Sequence, residues 1–127
     1  MPKIFLDACI FIDIISNRQA FDLTALEGNR PAISALTIHI AHYVAKATCP
    51  DQAIINLASK LIITSIPLSL AHRAMFDPTT DYEDNLQLLS ALEAQCDLFI
   101  TDDKTLLKLK KIKGLQIIHP TELAKYL

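Results

Sequence analysis

Short apolar runs alternate with longer amphipathic segments along this chain, and the alternation predicts strands and helices in turn. Apolar runs bounded by polar residues are typical of buried strands, and they predict strands at 3–6, 32–34, 61–64, 98–101 and 115–119. Helical spacing of apolar positions predicts helices at 37–47, 51–59, 69–75 and 82–95. Pro120 favours the first turn of a last helix that carries Leu123 and Leu127.

This order of elements predicts the fold class. Strands separated by helices pair in parallel through right-handed crossovers, which place helices on both faces of one sheet. We therefore expect an α/β fold, a three-layer α/β/α domain with a central, mainly parallel sheet of about four to five strands. The 127 residues, 51% of them hydrophobic, fit a single domain over 1–127.

The sequence also indicates where the protein is located and whether its cysteines are reduced. Asp7 and Asp13 interrupt the apolar segment near the N-terminus, no cleavage site follows it, and no segment is long enough to span a bilayer, so we expect a cytoplasmic protein. The cysteines Cys9, Cys49 and Cys96 are odd in number and lack CxxC spacing, which favours reduced thiols that are buried as small hydrophobic side chains.

The formal net charge of -2 gives no global attraction to nucleic acid, but the basic residues are unevenly spread. One short stretch contains Lys104, Lys108, Lys110, Lys111 and Lys113. Two interpretations stay open for it. The lysines form either a solvated helix end favoured by the helix dipole or an edge that binds phosphate.

Carboxylates stand where apolar runs end. Asp7 follows the first predicted strand, the pair Asp102 and Asp103 follows the fourth, and Asp81 and Asp84 lie at the start of the longest helical pattern. The carboxyl ends of parallel strands meet at one edge of a sheet, so these side chains can converge. Helix capping alone explains Asp81. Adjacent acids at a strand end repel each other unless a cation offsets them, which predicts a metal site.

The ligand types indicate which metal. Carboxylate oxygens without thiolates suit Mg²⁺ or Mn²⁺. Zinc requires more nitrogen or sulfur ligands. His39 and His42 are three positions apart on a predicted helix, but no acid or third histidine accompanies them locally, so we interpret them as polar surface or core-edge residues.

In their order and spacing these motifs resemble the PIN domain family. The resemblance covers essentially the whole chain: an aspartate after the first strand and an apolar helix at 4–13, a second-strand exit at 34–37, a central acidic motif at 81–84, a late strand end at 100–104, and a last strand and helix at 117–123.

The resemblance implies a metal-dependent nuclease fold, found most often in VapC-like bacterial toxins that cleave RNA and are held in check by an antitoxin. Asp7, Asp84 and Asp103 match the family's acidic ligands, and Asp102 lies beside one of them. In that chemistry the carboxylates hold one or two Mg²⁺ or Mn²⁺ ions, which activate a water molecule. Supporting positions are Ser34, His39 and Thr101, and the predicted RNA-backbone contacts are Lys104, Lys108, Lys110 and Lys111.

Two residues depart from the family pattern. Many members have a glutamate at the position of Ile40, and no acid occurs between Glu27 and Asp51. A branch with the same Asp-x-Glu-Asp motif often has an amide there, and His39 next to Ile40 can supply a polar contact. Cys9 stands where an asparagine is common.

These departures leave two functions open. The first is a metal-dependent endoribonuclease that hydrolyses RNA phosphodiester bonds as the toxin of a type II toxin–antitoxin pair, with an antitoxin as partner and a homodimer as the expected assembly. The second is a catalytically inactive PIN-like module that binds RNA or a protein. A phosphotransfer receiver domain ranks last, because the chain lacks a mid-chain phosphoacceptor aspartate.

Overall fold

A computed structural model describes residues 2–16, 23–26 and 28–127 of the chain. Within these ranges, six strands form one sheet in the order β3-β2-β1-β4-β6-β5. Their bounds are β1 Ile4–Leu6, β2 Ala32–Ser34, β3 Ile62–Thr64, β4 Leu98–Ile100, β5 Lys111–Ile112 and β6 Leu115–Ile118.

The sheet is parallel except at one edge. β1 lies at its centre, where Leu6 is in register with Ile100 of β4 and Phe5 with Ala32 of β2. β5 pairs antiparallel with β6. The predicted α/β class and mainly parallel sheet are confirmed, and each of the five predicted strands is present within a residue or two. The predicted strand count was too low, because β5 is only two residues long and has no apolar periodicity.

In the described residues, six α-helices and two 3₁₀ segments connect or follow the strands. They are α1 Ala8–Ser16, α2 Ala35–Ala45, α3 Gln52–Ala58, α4 Leu68–Arg73, α5 Tyr82–Glu93 and α6 Lys104–Leu107, with 3₁₀ segments at Leu23–Leu26 and Pro120–Tyr126. The last segment begins at Pro120 as predicted and buries Leu123, but it ends before Leu127. The side chain of His119 caps it by accepting a hydrogen bond from Thr121 N.

The helices cover both faces of the sheet, because successive side chains of a strand point to opposite sides. Ile4 and Leu6 pack in one cluster with Ile10 of α1 and Ile54 of α3. Phe5 packs on the other face in a second cluster, with these partners from α5, β4 and α6: Leu88, Ala91, Phe99 and Leu106. The rings of Phe5 and Phe99 are stacked with centroids 5.6 Å apart. The three-layer arrangement follows from this alternation.

The cysteines are free, but they are not uniformly buried. Cys96 is buried, Cys9 is half-buried and Cys49 is exposed. The prediction of a buried thiol is therefore wrong for Cys49, which lies in the polar loop between α2 and α3. Within the described ranges, no helix combines the length and hydrophobicity needed to cross a membrane.

Candidate active site

Five carboxylate side chains line one cavity of about 350 Å³ at the carboxyl edge of the sheet. The end of β1 contributes Asp7, the segment after β4 contributes Asp102 and Asp103, and the first turn of α5 contributes Glu83 and Asp84. The remaining lining residues are Ala8, Cys9, Ile12 and Ile40. The four predicted aspartates are thus brought together from three separate parts of the chain.

Asp7 is the most buried of these acids, with 7% of its surface exposed. Its backbone N–H donates to Ile100 O over 3.0 Å, which fixes it to the end of β4. Its Oδ1 accepts a hydrogen bond from Ala8 N over 2.8 Å, and its Oδ2 accepts one from Thr101 Oγ1 over 2.8 Å. Burial raises the pKa of Asp7 although these hydrogen bonds oppose the shift.

Thr101 connects two of the acids. Besides donating to Asp7, its Oγ1 accepts a hydrogen bond from Asp103 N over 3.0 Å. Thr101 is completely buried. A single hydroxyl therefore orients the Asp7 carboxylate and the backbone that carries Asp103.

Asp103 has a structural task of its own. It is the N-cap of α6, and its Oδ1 accepts hydrogen bonds from Thr105 N over 2.8 Å and Leu106 N over 3.4 Å. Both hydrogen bonds use the same oxygen, so Oδ2 remains available to a ligand. Asp102 beside it is half-buried.

Asp84 is held in the first turn of α5. Asp81 caps this helix as predicted, with its Oδ1 accepting from Asp84 N over 2.9 Å. Burial, followed by the negative charges of Asp81, Asp7, Asp103 and Glu83, raises the pKa of Asp84 to about 7. Without a cation, the site therefore opposes full ionisation of its own carboxylates.

The donor set suits a hard cation held partly through water. In the described part of the chain, no three or more histidine, cysteine, aspartate or glutamate side chains form a ready metal cluster. Mg²⁺ commonly keeps several waters and takes only one or two carboxylates directly. An open cavity lined by mutually repelling carboxylates fits binding of that kind better than a closed cage of protein ligands.

All three predicted supporting residues lie outside the cavity lining, although Thr101 reaches the site through its hydrogen bond to Asp7. Ser34 is buried at the end of β2, and its Oγ donates to Gln87 Oε1 over 2.7 Å. His39 is exposed on α2, while its neighbour Ile40 lines the cavity. The place where the resemblance expects a glutamate is therefore an apolar part of the wall.

Sequence reasoning did not identify Glu83 as a member of the site. Glu83 is part of the central acidic motif at 81–84, which was the available signal. A helix turns by about 100° between adjacent residues, so Glu83 and Asp84 could not be assumed to line the same cavity. Cys9 also lines the cavity, with its Sγ 3.6 Å from Asp7 Oδ2. Burial, followed by the charge of Asp7, raises the pKa of the Cys9 thiol, which keeps it a neutral S–H donor.

The lysines lie along α6 and the chain that follows it to the edge strand β5. Lys104 begins α6 directly after Asp103, Lys108 caps the end of that helix, and Lys111 is in the edge strand β5. Lys110 and Lys113 have positive φ angles of 61° and 54°. Lysine on an edge strand also discourages unwanted strand pairing. Of this group, only Lys104 adjoins a residue that lines the cavity.

The order of elements and the helices on both faces of the sheet match the fold of solved VapC-like PIN-domain structures, which confirms the predicted fold. One chain of a toxin–antitoxin complex from Klebsiella pneumoniae superimposes with a TM-score of 0.71 and 23% identity over 93% of this chain and 98% of that chain. One chain of DNA-bound VapBC from Salmonella typhimurium superimposes with a TM-score of 0.63 and 20% identity over 94% of this chain and 99% of that chain.

A further structure of the same fold is VapC20 of Mycobacterium tuberculosis, described as a toxin that cleaves the sarcin–ricin loop. It superimposes with a TM-score of 0.62 and 11% identity over 90% of this chain and 99% of that chain. No protein-family model matches the chain, and no curated protein matches it in sequence. The likeness is thus one of fold, at low sequence identity.

Proposed function

We propose that this protein is a metal-dependent endoribonuclease that hydrolyses RNA phosphodiester bonds. The observation that supports this most directly is the convergence of Asp7, Asp84, Asp102 and Asp103 on one open cavity at the carboxyl edge of the sheet. The fold is that of VapC toxins, one of which is described as cleaving the sarcin–ricin loop. We expect the protein to act in the cytoplasm.

The proposed cofactor is Mg²⁺ or Mn²⁺, held by Asp7, Asp84 and Asp103, with Asp102 and Glu83 assisting directly or through water. When bound, such an ion activates a water molecule and stabilises the negative charge that develops on the scissile phosphate. Asp7 is oriented for binding by Ala8 N and Thr101 Oγ1. Asp103 presents Oδ2, because its Oδ1 caps α6.

The protein's own charges oppose RNA binding near the cavity, since a cluster of carboxylates repels a polyanion. A bound cation removes this obstacle. Lys104, next to Asp103, is the nearest of the basic residues along the chain, and Lys108, Lys110 and Lys111 are exposed where they can neutralise flanking phosphates. We propose that these four lysines contact the RNA backbone.

We further propose that the protein is the toxin of a type II toxin–antitoxin pair and forms a homodimer. Toxin–antitoxin complexes are among the structures of the same fold. Large apolar side chains are exposed on the surface, including Tyr43 at 78% and Leu68 at 87%. Apolar surface of this kind is typical of regions covered by a partner.

One observation favours the alternative, a catalytically inactive PIN-like module that binds RNA or a protein. Ile40 lines the cavity at the place of the missing glutamate, so the wall lacks one acid. If catalysis has been lost, RNA or partner binding should persist when Asp7 or Asp84 is replaced.

The deciding experiment incubates the purified protein with a mixed single-stranded RNA pool in EDTA, Mg²⁺ or Mn²⁺. An Asp84→Asn variant purified identically serves as the control. Cleavage that requires the metal and disappears in Asp84→Asn supports the nuclease. If a folded protein cleaves nothing with either metal, the inactive module becomes the better explanation.

A further inference from the structure

Three buried polar side chains form a line of hydrogen bonds that the proposed metal chemistry does not use. Ser34 Oγ donates to Gln87 Oε1 over 2.7 Å, and Gln87 Nε2 donates to Thr37 Oγ1 over 2.9 Å. Ser34 and Thr37 are 0% exposed and Gln87 is 1% exposed. A buried polar group without a partner is costly, so such a network permits few alternative arrangements.

The network connects the elements that carry two walls of the acidic cavity. Gln87 is on α5 three residues after Asp84, and Thr37 is on α2 three residues before Ile40. Residues three apart on a helix lie on one face. Ser34 ends β2, the strand against which α5 packs. The hydrogen bonds therefore lie about one helical turn from the cavity residues.

The other buried polar side chains of α5 have different roles. Asn85 Nδ2 donates to Ala74 O over 2.9 Å and to Thr79 O over 3.0 Å, so it holds the loop that precedes α5. Ser90 Oγ is buried and has no hydrogen-bond partner among the residues that the structure describes. Among the buried polar side chains of α5, Gln87 alone hydrogen-bonds to both β2 and α2. Its amide oxygen and nitrogen serve different partners, so sliding or rotation of α5 would break both bonds.

We propose that Gln87 is a positioning residue for Asp84, because its bonds to Ser34 and Thr37 fix the height and rotation of α5 against β2 and α2. The inference rests on the proposed metal-dependent function. Gln87 touches neither RNA nor metal; it acts through the helix and keeps Asp84 where it can share a cation with Asp7 and Asp103. Apolar packing of α5 alone would allow small shifts that keep the core intact but separate the carboxylates.

The test replaces the whole network with apolar side chains, in the variant Ser34→Ala, Thr37→Val, Gln87→Leu. Removing every partner together leaves no buried polar group unsatisfied, so the melting temperature should change little. We expect Mn²⁺ affinity, measured by calorimetry without RNA, to fall about tenfold, the scale seen when residues behind metal ligands are removed. The turnover number for RNA cleavage should fall while KM for RNA stays unchanged.

Ser90→Ala is the matched control, because Ser90 is a buried polar residue of the same helix whose hydroxyl bonds to none of the described residues. It should bind Mn²⁺ as the unaltered protein does. A folded triple variant with undiminished Mn²⁺ affinity would overturn the positioning role. If the unaltered protein neither binds Mn²⁺ nor cleaves RNA, the proposed function fails, and the role of Gln87 fails with it.

Should the triple variant not fold, Thr37→Val alone serves the same purpose. It keeps the shape of the side chain and removes only the acceptor of the Gln87 amide. The same two readouts, Mn²⁺ affinity and the turnover number at constant KM, then decide. An unchanged Mn²⁺ affinity together with a lower melting temperature would show a purely structural role.

Discussion

At the scale of single residues, a substitution of Asp7 can show whether this side chain binds metal or only accepts hydrogen bonds that support the fold. Asp7→Asn keeps the volume and most of the hydrogen-bonding shape of the side chain. It removes a buried carboxyl group, whose pKa is raised by burial. We expect Mn²⁺ affinity and RNA cleavage to drop while the melting temperature holds or rises. If Asp7 only supports the fold, the opposite pattern follows, with unchanged Mn²⁺ binding and a stability loss of about 0.5–2 kcal/mol. Calorimetry and thermal melting of the same sample distinguish the two.

We propose that Glu83 takes the place of the glutamate that α2 lacks. It lines the cavity and its charge contributes to the raised pKa of Asp84. Glu83→Gln should weaken Mn²⁺ binding about three- to tenfold, an effect of about 1 kcal/mol, with little effect on the melting temperature because the side chain is exposed. Glu93→Gln, an exposed glutamate at the other end of α5, is the control. Equal Mn²⁺ affinity in the two variants would show that Glu83 does not take part in metal binding.

At the scale of elements, substitutions of Asp103 test whether one side chain both caps α6 and binds the metal. Asparagine caps helices as well as aspartate does, whereas alanine does not. Asp103→Asn should therefore keep the stability of the protein and lose Mn²⁺ affinity, while Asp103→Ala should lose both. The expected difference in unfolding free energy between the two variants is about 1 kcal/mol. Chemical denaturation without metal measures it, and equal stabilities would mean that the cap contributes nothing.

The strands and helices were largely predictable because their signals are local. Each of the five longer strands is an apolar run, and Asp81 marks the start of α5 by a cap that needs no tertiary knowledge. β5 and α6 were missed as elements because two or four residues carry no periodicity. β5 forms only because Lys111 pairs with Gln116 of β6, a contact that depends on the turn between them.

The site was predictable to the extent that sheet topology determines it. Parallel strands bring Asp7 and Asp103 to one edge, and that logic requires only the order of elements. The hydrogen bonds of Gln87 could not be predicted from the sequence, because Ser34 is 53 residues away along the chain and only the folded structure brings the two together. The place of Ile40 in the lining was indicated by the resemblance, because many family members have a glutamate at that position.

At the scale of the whole molecule, the acidic cavity makes stability depend on pH. The pKa of Asp84 is raised from 3.8 to about 7 in the folded state, so between these values the unfolded chain releases a proton that the folded protein retains. The metal-free protein should therefore lose stability as the pH rises from about 4 to about 7, and the loss should level off above that. Asp84 is half-exposed, so solvent screening limits its share to about 1 kcal/mol.

Asp84→Asn isolates this contribution, because it removes the ionisable group and leaves the Asp81 cap on the backbone N–H. In EDTA, the variant should melt about 2–4 °C above the unaltered protein at pH 8 and at nearly the same temperature at pH 4. Adding Mn²⁺ at pH 8 should reverse the order, because a ligand that binds only the folded state stabilises the protein that has the intact site. A difference between the two proteins that is constant across pH, or insensitive to Mn²⁺, would show that repulsion around Asp84 does not govern the stability of this fold.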